Sequence, residues 1–110
     1  MTIYVDIDDT ICTNIDPENY DNSTPILDNI QKINAFYEMG HTIVYWTARG
    51  TKTGVDWQDI TINQFRKWGV KYHKLIFGKP SYDIFIDDKN INAIEIDDLY
   101  HKLQKIDIRL

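Results

Sequence analysis

Four short runs of β-branched and aromatic residues, TIYVD at 2–6, TIVYW at 42–46, HKLIF at 73–77 and YDIFI at 82–86, decide most of what this chain can become. The first two are apolar almost throughout instead of alternating, which is the pattern of strands buried in a parallel sheet. Between them, Ile26, Leu27, Ile30, Ile33, Ala35 and Tyr37 fall broadly on one helical face. A helix is therefore expected from near Thr24, with Pro25 in its first turn, to a stop at Gly40. Residues 56–68 read as a second helix capped by Gly69, and 97–106 as a closing helix. Residues 7–24 and 47–54 read as polar loops, 78–81 (GKPS) as a turn, and 92–96 (NAIEI) as a short fifth strand.

Strand, helix, strand, helix, strand, strand implies a Rossmann-like three-layer α/β sandwich, with a mostly parallel sheet of four to five strands and right-handed crossovers. At 110 residues the chain is expected to be one domain, 1–110, with a single core. The net charge of −5 argues against a nucleic-acid partner held by bulk charge. Cys12 is the one cysteine, which excludes an intrachain disulfide, and His41, His73 and His101 are too far apart for a short zinc motif. The N-terminus lacks the pattern of a secretory leader, and no apolar run nears the roughly 18 residues that span a bilayer. A reducing cytoplasm and no membrane partner are the expectations.

Open α/β sheets bind ligands at the carboxyl ends of their strands. Asp6 ends the first run, Thr47 follows the second, Lys79 comes shortly after the third, and Asp87 and Asp88 end the fourth. Each has a plain structural reading when taken singly: turn acids, a capping hydroxyl, a solvated lysine. Polar groups at four corresponding strand ends are harder to attribute to solubility. Side chains two apart in extended chain point the same way, so Asp6 and Asp8 can face one cavity. With Asp87 and Asp88 added, up to four carboxylates would share it, which requires a cation. Oxygen ligands beside a phosphate-sized site point to Mg²⁺. Lys79 and the Thr47 hydroxyl, with the backbone N–H groups of the loop through Ala48 and Arg49, can hold an anion's oxygens.

In this order DIDDT, IVYWT, GKP and FIDD resemble the four motifs of the haloacid dehalogenase (HAD) superfamily of phosphohydrolases, over about residues 2–89. The resemblance implies that Asp6 is the nucleophile that accepts the phosphoryl group, and that Asp8 is the general acid and then the base. It further implies that the Asp8 carbonyl lies on Mg²⁺, that Thr10 orients the first loop, and that Thr47 and Lys79 hold phosphoryl oxygens. Asp87 would ligate Mg²⁺ with Asp88 in support. The segments WTARG and FGKPSYDIFIDDK resemble, more narrowly, short HAD proteins associated with capsular polysaccharide biosynthesis. The expected activity is a Mg²⁺-dependent phosphomonoesterase acting on a sugar phosphate or related metabolite.

Larger HAD proteins carry a cap domain after the first motif or between the second and third. Here those gaps hold 13 residues (11–23) and 31 residues (48–78), the latter already occupied by a loop, a helix and a strand. An uncapped site must exclude water with a bulky substrate, with the 11–23 loop as a flap, or with a neighbouring subunit in a homo-oligomer. Tyr20 is the expected contact residue of the flap, and Arg49 and Lys52 are the cations expected to read the substrate beyond its phosphate. Two alternatives stand beside this reading: a phosphatase for polynucleotide ends, against which the acidic charge counts, and a non-catalytic phosphate- or metal-binding module. A response-regulator receiver fails on order, because here the acidic pair follows the lysine.

Overall fold

The computed structural model describes residues 1–17 and 19–109 and is a small α/β domain. Strand β1 (Thr2–Val5) leads through two short strands, β2 (Cys12–Thr13) and β3 (Thr24–Pro25), to helix α1 (Leu27–Glu38). Strand β4 (Thr42–Thr47), helix α2 (Gln58–Trp68), strand β5 (Lys74–Phe77), a 3-10 turn (Ala93–Glu95) and helix α3 (Ile96–Arg109) follow. The main sheet has the order β1-β4-β5 and is parallel, with Ile3 opposite Ile43, Val5 opposite Tyr45 and Tyr45 opposite Leu75. Among the described residues no helix is long and apolar enough to cross a membrane.

That register sets Ile3, Val5, Ile43, Tyr45 and Leu75 on one face of the sheet. They pack with Ile30, Ile33 and Phe36 of α1, Phe65 of α2 and Leu103 of α3 into one core. Tyr45 lies edge-on to the Phe65 ring at 4.9 Å. The opposite face carries the buried Val44, the half-buried Trp46, and Tyr4 and Ile76, which are 59 % and 37 % exposed. The second helix layer of a three-layer sandwich is thus not seen among the described residues.

The expected sheet of four to five strands is corrected to three, because 82–86 and 92–96 join no ladder. Ile84 is 79 % and Ile86 93 % exposed, so the most strand-like of these sequences lies unpaired. A strand's stability comes from its ladder and its packing neighbours more than from its own residues, and an apolar run alone cannot supply either. In 92–96 a local contact wins: the Asn92 side chain accepts from the Ile94 N–H at 3.1 Å and starts the turn into α3.

Helix α1 begins three residues later than expected. Thr24 and Pro25 pair with Thr13 and Cys12 instead, and the Ile26 N–H donates to the Ile11 carbonyl at 2.8 Å, so the chain stays extended until Leu27. The expected polar loop 7–24 therefore contains an antiparallel ladder, anchored by Ile7, Ile11 and Cys12, all fully buried. Helix α2 starts at Gln58, whose N–H is taken by the Asp56 side chain at 2.9 Å, and ends on Gly69 in the left-handed region at φ 69°.

Candidate functional site

At the carboxyl end of β1 the chain turns sharply. The Ile7 carbonyl accepts from the N–H groups of Thr10 (3.2 Å) and Ile11 (2.9 Å), and Asp9 takes a positive φ of 61°, which aspartate tolerates better than most residues. Asp6 closes on its own turn, with the Ile7 N–H donating to Oδ1 at 2.9 Å. Its Oδ2 lies 3.6 Å from Lys79 Nζ. Burial pushes the Asp6 carboxyl above its ordinary range, and the Lys79 charge opposes this without cancelling it.

Lys79 is held from both sides of its backbone. Its N–H donates to the Thr47 carbonyl at 3.0 Å, and its carbonyl accepts from the Thr51 hydroxyl at 2.8 Å. The ammonium sits over the rings of Trp46 (5.6 Å) and Tyr82 (5.4 Å). Thr47, only 1 % exposed, accepts the Arg49 N–H on Oγ1 at 3.1 Å and so shapes the loop that follows β4. Ala48, half-buried, accepts from the Thr51 N–H at 3.0 Å. Thr10 is tied down through its carbonyl, which accepts from Asn29 Nδ2 at 2.8 Å.

Arg49 is placed differently from its expected role. It is 2 % exposed and faces inward. Nη2 lies 2.9 Å from Asp8 Oδ1, Nε 3.1 Å from Oδ2, and Nη1 reaches Thr61 Oγ1 (3.0 Å) and Gln64 Oε1 (2.6 Å). The Tyr20 ring covers the guanidinium at 4.7 Å and meets Trp57 edge-on at 5.0 Å. A guanidinium with every nitrogen engaged cannot also read a substrate. The 11–23 loop, expected as a flap, is tethered to the same cluster through Asn14, Tyr20 and Ser23. Glu18, inside that loop, lies outside the described residues.

Asp6, Asp8, Thr10, Lys79 and Asp87 line one groove of about 910 Å³ that runs along the free edge of β1. Asp88 is exposed and does not line it. Among the described residues no three acids, histidines or cysteines come close enough to hold a metal ion. The Asp8 carboxylate is already engaged by Arg49 and by Asn14 Nδ2 at 2.8 Å. Asp6, Asp8, Asp87 and Asp88 are thus not gathered into one cluster of carboxylates. Thr61, Gln64, Asn14 and Ser23 were not marked by the sequence reading. Thr61 and Gln64 carried a signal, since they share with Phe65 the buried face of α2, where polar side chains need a polar partner.

No family model and no curated protein matches the chain. Among solved structures it is similar to an MCSG target from Vibrio cholerae, with a TM-score of 0.75 and 26 % identity over 93 % of this chain and 98 % of that one. The likeness runs nearly end to end through both chains.

Proposed function

We propose that this chain is a phosphomonoesterase of the HAD type, with an HAD-like fold, that transfers the phosphoryl group of a small metabolite, a sugar phosphate by the narrower resemblance, to Asp6. The observation that carries the reading is the pair of Asp6 and Lys79, 3.6 Å apart in an open groove with Asp8 on the same wall. A carboxylate attacks phosphorus slowly mainly because the phosphoryl oxygens repel it, and Lys79 is placed to relieve that charge. In the first step an Asp6 oxygen bonds to phosphorus, the bond to the leaving oxygen breaks, and that oxygen takes a proton from Asp8. In the second, water attacks phosphorus, gives a proton to Asp8 and releases inorganic phosphate, restoring Asp6. Mg²⁺ belongs to this reading through the resemblance alone, which would put it with Asp6, the Asp8 carbonyl and Asp87, and neither step is derived through it.

A second reading, a non-catalytic phosphate-binding module, is favoured by the ion pair that occupies Asp8 and by the dispersed acids. Phosphate release from aryl phosphates, with Mg²⁺ and with chelator, separates the two. Release that is lost in Asp6→Asn supports the phosphatase. Phosphate binding that depends on Lys79, with no release from any phosphomonoester, supports the module.

A further inference from the structure

The Asp8 carboxylate is held unequally. Oδ1 takes Arg49 Nη2 at 2.9 Å, Asn14 Nδ2 at 2.8 Å, the Cys12 thiol at 3.4 Å and a longer contact from Arg49 Nε at 3.3 Å, while among the described residues Oδ2 meets Arg49 Nε alone, at 3.1 Å. A carboxylate has about four lone-pair sites, so among the described residues Oδ1 is filled and Oδ2 keeps one site open. The fork of Arg49 fixes this division, because two parallel N–H donors define the carboxylate plane where a single charge would not.

The same guanidinium is the meeting point of the β2–β3 segment. Its Nη2 lies 3.6 Å from Cys12 Sγ and 3.4 Å from Ser23 Oγ. Ser23 in turn donates to Asn14 Oδ1, Tyr20 covers the guanidinium face, and Gln64, bound to Nη1, donates to the Tyr20 carbonyl at 2.5 Å. The β2–β3 ladder is two residues long on each side, too short to persist alone. Buried Ile11 and Cys12 anchor its base, and these tethers hold the segment between the two strands.

We propose that Arg49 is a positioning residue: it sets the rotamer of Asp8 and fastens the 12–25 segment to it, so that acid and covering segment form one unit. The first half rests on the phosphatase reading; the second does not. A group that only supports the fold, once removed, lowers the amount of competent protein and slows every substrate alike. A group that aims the acid matters most where the leaving oxygen needs a proton.

The experiment compares wild type, Arg49→Ala and Arg49→Lys by hydrogen exchange and by kcat/KM over aryl phosphates of graded leaving-group pKa. In Arg49→Ala, exchange in 13–24 should rise at least about tenfold. Its kcat/KM should fall roughly hundredfold for poor leaving groups and only a few-fold for good ones. Arg49→Lys should recover part of both. Exchange in 13–24 equal to wild type, or a rate loss equal for all leaving groups, overturns the proposal. If wild type hydrolyses nothing, the phosphatase reading falls while exchange still decides the tether. If Arg49→Ala does not fold, Asn14→Ala, which removes one donor to Oδ1, must show both changes at smaller size, and its behaving as wild type overturns the proposal.

Discussion

Arg49 grips the Asp8 carboxylate from one side with two nitrogens, Nη2 at 2.9 Å from Oδ1 and Nε at 3.1 Å from Oδ2. The Arg49 side chain is fully buried while that of Asp8 is 24 % exposed, so water screens the pair only in part. Removing one partner of a buried pair strands the other charge, which costs more than the pair contributes. With a discount for the exposed side, Arg49→Ala should lower unfolding stability by about 2 kcal/mol in urea titration. Lys52→Ala, three positions on and exposed, should change it by less than about 0.5 kcal/mol. Equal effects would mean that the pair does not hold the loop.

Asp6 gives the opposite sign. Burial raises its carboxyl above the usual range despite Lys79, so the ionised form is disfavoured in the folded protein and stability from this group falls as pH rises through the carboxylate range. Asp6→Asn keeps the shape and the Ile7 contact and removes that charge. It should abolish aryl phosphate hydrolysis, by on the order of 10⁴-fold or more, while leaving the denaturation midpoint unchanged or higher. A variant that lost activity and stability together would mark Asp6 as a structural acid.

Much of this arrangement was readable from residue order alone. β1, β4 and the two helices between the main strands follow from periodicity and from glycine stops, because each is decided by its own face or its own cap. The Asp6–Lys79 contact was readable because strand ends in a parallel sheet collect at one edge. Arg49 was not, since an arginine in a polar loop reads as solvated until its partners are known, and those partners, Asp8, Thr61 and Gln64, are up to 41 positions away. The 82–86 segment failed for a related reason: its apolar residues report that a strand is possible, while its ladder depends on a neighbour that sequence does not name.

Gly50 should be intolerant of any side chain. Its φ of +82° is left-handed, and a Cβ there would stand 2.2 Å from the Val55 carbonyl oxygen, which is backbone and cannot turn away. Gly50→Ala should cost about 2 kcal/mol or more, measured by denaturant midpoint. It should also slow hydrolysis, because the loop after Thr47 carries Thr51, which holds the Lys79 carbonyl. A neutral Gly50→Ala would show that the 50–55 turn reorganises freely.

Two buried acids make the protein sensitive to alkali. Burial, with Asp8 nearby, pushes the Cys12 thiol from 9.0 up to about 12, and burial raises the Tyr45 phenol as well. Both are neutral when folded and lose their protons first in the unfolded chain, so their stabilisation is complete below the unfolded values and disappears as pH rises toward the folded ones. Cys12 alone should make stability fall by about 1.4 kcal/mol per pH unit above 9.0. Cys12→Ala should flatten this slope. Tyr45→Phe should flatten it above the tyrosine range and add about 1 kcal/mol at neutral pH, since the Tyr45 hydroxyl is buried without a partner among the described residues.

The last prediction concerns the free edge of β1. Asp87 lines the groove with Asp6 and Asp8, yet the three are not gathered closely enough for a cation, and the apolar residues before Asp87 stand in solvent. If hydrolysis requires Mg²⁺ and Asp6, Asp8 and Asp87 are to gather around it, the 82–88 segment moves toward β1, and the movement would bring exposed Ile84 and Ile86 out of water at the same time. Hydrogen exchange of 82–88 should then be fast in chelator and slow by at least about tenfold with Mg²⁺ and inorganic phosphate together. Asp87→Asn should abolish that protection and the Mg²⁺ dependence, leaving exchange in β4 unchanged. Hydrolysis that needs Mg²⁺ while 82–88 exchanges equally fast with and without it would mean that Asp87 acts from its present place, and that the apolar run before it serves some surface other than the edge of β1.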